Sequence, residues 1–123
     1  MNKQLDNFTE HYLIVALWSS LDDNGDPLDA NYSIQDIAPI ALIAAQKECE
    51  AFRATAKELL AGWPDEQAAH DFWLTRCGHG AGFWDRKEFP NGDLLTALVG
   101  FKTAFPPLDL YIGDDGLVYG FGE

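Results

Sequence analysis

Between Gln4 and Gln46 the chain has no lysine and no arginine. Phosphate recognition needs clustered basic side chains, so this stretch is excluded as a nucleic-acid-binding surface. The same absence argues against adhesion to an anionic membrane. Cysteine is scarce too: Cys49 and Cys77 are the only two. A chain of this size needs no disulfide framework, and reduced thiols in an intracellular protein are expected. There is no Cys-x2-Cys and no His-x3-His pair, which removes the familiar zinc signatures. No cofactor and no metal are expected. The apolar stretch Tyr12–Trp18 is too short to span a bilayer. It follows Asp6 and Glu10, the wrong flank for a secretory signal, so none is expected.

What the chain does have is acid and apolar bulk. Twenty Asp and Glu face eight Lys and Arg, a net charge of −12. Hydrophobic residues make up 47% and aromatics 13% of 123 residues, enough for a real core in one domain spanning 1–123. Disorder is therefore not expected, despite the charge. The acid is uneven. Asp6, Glu10, Asp22, Asp23, Asp26, Asp29 and Asp36 fall in the stretch without basic residues, and Asp109, Asp114, Asp115 and Glu123 follow Lys102. Such a distribution favours basic partners or cations, or serves solubility alone.

Helical spacing of Leu5, Phe8, Tyr12, Val15 and Trp18 predicts a helix over 5–21. Residues 22–32, DDNGDPLDANY, read as an acidic loop with two turn dipeptides. Asp22, Asn24 and Asp26 match the first three ligand positions of a calcium loop. Pro27 and Ser33 stand where that loop needs Gly and Glu, so a solvated turn is expected instead. Ser33 to Asp36 resembles a capping box. Pro39 opens a long helix over 39–61, with Leu42, Ala45, Cys49, Phe52, Ala56 and Leu59 as its apolar stripe and Gly62 as its stop. Trp63 to Glu66 begins a helical turn. Residues 71–86 read as a β-hairpin with a glycine-rich turn, Cys77–Gly82. A further helix is expected over 93–105, ended by Pro106-Pro107. Residues 108–121 read as a second hairpin turning at Asp115-Gly116. The fold class is α+β, with helices packed on a small antiparallel sheet.

The stretch His70–Arg86, HDFWLTRCGHGAGFWDR, concentrates the side chains that could do chemistry. Cys77 and His79 could form a nucleophile and base, but a thiol enzyme also wants an orienting group and an oxyanion hole. His70, Cys77 and His79, with Asp71 or Asp85, could bind metal, at a spacing that matches no known signature. Arg76 and His79, with Asp85 and the amides of Gly78, Gly80 and Gly82, could make an acid–base or anion site. The competing reading is structural. Phe72, Trp73, Phe83 and Trp84 fill the core, and Arg76 pairs with Asp85 or Asp71 across the hairpin.

This stretch is similar to a motif found in a family of small bacteriophage and prophage proteins, in which Asn usually stands at the position of Cys77. The resemblance extends to Ala16–Pro39 and Asp109–Gly120. It implies phage origin and residence in the host cytoplasm. It implies no settled activity, so no catalytic residue carries over, and an Asn at position 77 weakens any thiol mechanism.

The leading expectation is a non-enzymatic binding protein. Its surface residues would be Asp22, Asp23, Asp26, Asp29, Asp114 and Asp115. They would mimic DNA phosphates and occupy the basic groove of a host nucleic-acid-binding defence complex. The alternative is a small enzyme or anion-binding domain centred on Arg76, His79 and Asp85. A third is an oligomer with aromatics at its interface.

Overall fold

The computed structural model describes residues 5–99 and 105–123. Among these residues four α-helices pack around an aromatic core and carry a two-stranded antiparallel sheet, an α+β arrangement. Helix α1, Asn7–Ser19, starts where the Asp6 carboxylate accepts the Thr9 amide at 2.7 Å. Most of its residues are buried, and Ile14 and Trp18 are the large apolar exceptions. The loop that follows is closed by Asp22, whose Oδ1 accepts the amides of Asn24 (2.8 Å) and Asp26 (3.0 Å). That carboxylate serves a turn. Among the described residues, no group of three or more His, Cys, Asp or Glu could hold a metal ion.

The capping box forms as expected: Asp36 Oδ2 accepts the Ser33 amide at 2.8 Å. Helix α2, Pro39–Thr55, has Pro at its first turn and buries Ala41, Ala45, Cys49 and Phe52. It ends earlier than the expected residue 61. Residues 56–62 continue as turns, with the Leu60 amide still bonded to the Ala56 carbonyl at 2.9 Å.

The expected hairpin at 71–86 is not there. Residues Asp65–Cys77 form helix α3. Its start follows from Pro64 and the acids Asp65 and Glu66 in the first turn. Its end is a left-handed stop at Gly78 (φ 69°), with the Gly78 amide reaching the Thr75 carbonyl and the His79 amide the Leu74 carbonyl. From Ala68 to Arg76 every residue but His70 is buried. A helix enclosed on nearly all sides needs no polar face, so helical periodicity is weak and the aromatics read as strand. The second half of the expected hairpin is a short 3-10 turn, Phe83–Asp85.

Helix α4 is described over Gly92–Val99; residues 100–104 of the expected 93–105 helix lie outside the described residues. The C-terminal hairpin forms where expected, with strands much shorter than the expected 108–121. Strand β1, Tyr111–Ile112, pairs antiparallel with β2, Val118–Tyr119. On its other side Val118 forms a parallel bridge with Ile37, and its carbonyl accepts the Ala38 amide at 3.0 Å. This ties the hairpin to the start of α2. The core centres on Phe52 and Phe72, whose rings stack 4.1 Å apart at 8°. Tyr12, Phe83 and Phe105 surround that pair. Among the described residues, no helix is long and apolar enough to cross a membrane.

Candidate functional site

The loop after α1 and the C-terminal hairpin are far apart in sequence and adjacent in space. A groove of about 270 Å³ is lined by Leu21, Asp22, Asp23 and Asn24 from the loop and by Leu110, Tyr111 and Ile112 from the hairpin. Leu28 and Tyr32 complete it. Asp23, Asp26, Asp29, Asp114 and Asp115 are exposed, and Asp22 is half-buried.

Two of these six acids have local duties. Asp22 holds its turn, and Asp115 closes the hairpin. Asp115 Oδ1 accepts the Leu117 amide at 3.0 Å, and its Oδ2 accepts the Tyr119 hydroxyl at 2.6 Å. The Tyr119 and Leu117 donors hold the Asp115 carboxyl below its usual range. The same hydrogen bond pushes the Tyr119 hydroxyl up. The Tyr119 ring stacks on Tyr111 at 5.7 Å.

The arginines are engaged elsewhere. Arg53 pairs with Asp6 and Asp65, Arg76 with Glu48, and Arg86 with Asp71. Among the described residues, no ion pair neutralises any of the six acids.

The residues of the alternative site do not converge. Arg76 is buried and saturated. Its Nε and Nη2 donate to the Pro106 carbonyl at 3.0 and 2.8 Å, Nη1 donates to the Tyr12 hydroxyl at 3.1 Å, and Glu48 sits 2.9 Å from Nη2. The expected pairing of Arg76 with Asp85 or Asp71 is therefore replaced by Glu48. Burial pushes the Tyr12 hydroxyl up, which keeps it neutral beside the guanidinium. Asp85 accepts the Gly82 amide at 3.1 Å, a local duty within the 3-10 turn. His79 is exposed just beyond the end of α3. Cys77 donates to the Leu108 carbonyl at 3.6 Å, and burial pushes its thiol up, so thiolate is scarce at neutral pH. Burial does the same to Cys49 in the core.

A second constellation escaped the sequence reading. Asp71 is fully buried, and three side chains converge on it. Arg86 grips it with Nε at 3.0 Å from Oδ2 and Nη2 at 3.0 Å from Oδ1. Gln67 Nε2 donates to Oδ2 at 2.9 Å, and His70 Nδ1 lies 3.2 Å from Oδ1. An ionised carboxylate only accepts, so Nδ1 carries the proton. His70, Asp71 and Arg86 stand first, second and last in the stretch HDFWLTRCGHGAGFWDR. The signal was present there as complementary charge, but a hairpin reading puts those residues in a different register.

No family model, curated protein or solved structure matches the chain. Gln67, His70 and Arg86 line a second groove with His11, Ile14, Val15, Trp18 and Glu66, of about 280 Å³. That lining has no hydroxyl or thiol to serve as a nucleophile. What the clamp does is fix the chain after α3 against α3 itself. The acidic groove offers exposed carboxylates beside exposed Leu21 and Tyr111, a combination suited to a protein partner.

Proposed function

We propose that this chain is a non-enzymatic binding protein whose acidic face engages a basic surface on another protein. The observation that supports this reading is the groove where the Leu21–Asn24 loop meets the Leu110–Ile112 segment. The loop brings Asp22 and Asp23 to that groove, the hairpin brings Leu110, Tyr111 and Ile112, and the arginines pair elsewhere. Such a field steers a cationic partner and raises its association rate. The motif resemblance extends the proposal: the protein is of phage origin, acts in the host cytoplasm, and blocks a host nucleic-acid-binding defence complex by standing in for DNA phosphates in its basic groove.

The test is displacement. Host proteins retained on a duplex-DNA column are challenged with the native chain and with a variant in which Asp22, Asp23, Asp26, Asp29, Asp114 and Asp115 are all replaced by Lys. The native chain releases a discrete protein, and release weakens as salt rises. The variant, shown to be folded by circular dichroism, releases nothing. Equal release by both chains, or none by the native chain, refutes the proposal.

A further inference from the structure

Helix α1 has an apolar face that the described residues leave partly exposed. Ile14 and Trp18 are 42% and 43% exposed, and Leu21, just past its end, is 61% exposed. Ile14 and Trp18 are four apart on one face of the helix, and Leu21 follows after Ser20 has left helical geometry (φ −103°, ψ 146°). Grooves flank the stripe. One lies between α1 and α3 and is lined by His11, Ile14, Trp18, Glu66 and His70. Another, of about 480 Å³, lies between α1 and the 29–35 segment and is lined by Ile14, Leu17, Asp29, Tyr32 and Ile34. The acidic groove takes in Leu21 at the far end. The second and third grooves carry carboxylates and no basic side chain, Asp29 in one and Asp22 and Asp23 in the other, whereas the first sets Glu66 among His11, His70 and Arg86.

We infer that this face receives a basic amphipathic helix of a partner protein. The inference rests on the acidic-surface reading and names the element that surface recognises. A pure phosphate mimic would present acid without large apolar side chains. Here an apolar stripe runs among carboxylates. The complementary ligand has apolar anchors at i, i+4 and i+7 flanked by Lys or Arg. A second copy of this chain is a poor occupant, because it would bring another net charge of −12 to the contact. The other exposed apolar pair, Ile40 and Ile43 on α2, sits in a groove of mixed charge, with Lys47 beside Glu48 and Glu123.

The test uses three synthetic peptides: a leucine–lysine peptide with leucines at helical spacing, the same composition permuted so that no apolar face forms, and oligolysine. Calorimetry gives one amphipathic peptide bound per chain, with the permuted peptide and oligolysine weaker by about tenfold or more. Trp18→Glu and Ile14→Glu each weaken the amphipathic peptide about tenfold, whereas Ile40→Glu does not change it. Both positions are exposed, and Trp18→Ala serves as the milder replacement should the glutamate variants misfold. Oligolysine binding as tightly as the amphipathic peptide, with Trp18→Glu silent, overturns the helix inference and leaves the acidic surface standing. Full binding by the six-fold Lys variant instead counts against the acidic rim and keeps the stripe. A native mass showing a dimer that Trp18→Glu dissociates assigns the stripe to self-association and overturns the inference.

Discussion

At the scale of single residues, the most consequential side chain is Asp71. A fully buried carboxylate is tolerated only when paired and hydrogen-bonded, and Asp71 is met by Arg86, Gln67 and His70. Removing one partner of such a pair leaves the other uncompensated. Asp71→Asn is expected to cost roughly 3 kcal/mol in chemical denaturation. It should also free the His70 ring, seen as a changed imidazole tautomer by NMR. A loss below about 0.5 kcal/mol would mean that the clamp is incidental. Cys77 behaves differently. Its thiol makes one long bond to the Leu108 carbonyl. An asparagine amide donates to such a carbonyl more strongly than a thiol does. An asparagine at this position would thus suit the same structural task.

At the scale of elements, α3 and the C-terminal hairpin show what could be read in advance and what could not. The hairpin was legible because its turn chemistry is local: Asp115-Gly116 sits between alternating residues, and Gly116 adopts φ 80°. α2 was legible because its apolar stripe is one-sided. α3 was not, because its burial on almost every side erases that stripe. Its stop signal, Gly78, reads in the sequence as part of a hairpin turn, whereas it ends a helix. The close approach behind it was equally invisible: a side chain at Gly82 would run into the Thr75 hydroxyl and the Trp84 ring. The acids of the candidate surface were legible as composition. The groove that holds Asp22 and Asp23 was not, since it depends on Leu110–Ile112 lying beside Leu21–Asn24. The hairpin also carries a pH prediction. Asp115 has its folded pKa lowered from 3.8, so its contribution is present above that value and is lost as pH falls through the folded value below it. Tyr119 has its folded pKa raised from 10.0, so its contribution holds below that value and is lost as pH rises through the folded value above it. Between those limits the Gly113 amide, bonded to the Leu117 carbonyl, should be protected from exchange. Asp115→Asn should reduce that protection at pH 7. Unchanged exchange in the variant would show that backbone pairing alone holds the turn.

At the scale of the whole molecule, a net charge of −12 opposes compaction through self-repulsion. If these acids served the fold, removing them would weaken it. The described ion pairs point the other way, because they use Asp6, Glu48, Glu66, Asp65 and Asp71 and none of the six surface acids. On the proposed reading, exposed acids outside these ion pairs serve a binding face rather than the fold. Asp23 and Asp114 are the clean positions for a test, being exposed and outside the turn bonds made by Asp22 and Asp115. Asp23→Asn with Asp114→Asn should leave stability unchanged or raise it by up to about 0.5 kcal/mol. Moderate salt should raise the melting temperature of the native chain more than that of the variant, as screening removes the same repulsion. Partner affinity should move the opposite way, falling with the lost charge. A variant that is destabilised, and whose melting temperature responds to salt as the native chain's does, would place those carboxylates in the service of folding and take the ground from the binding-face reading.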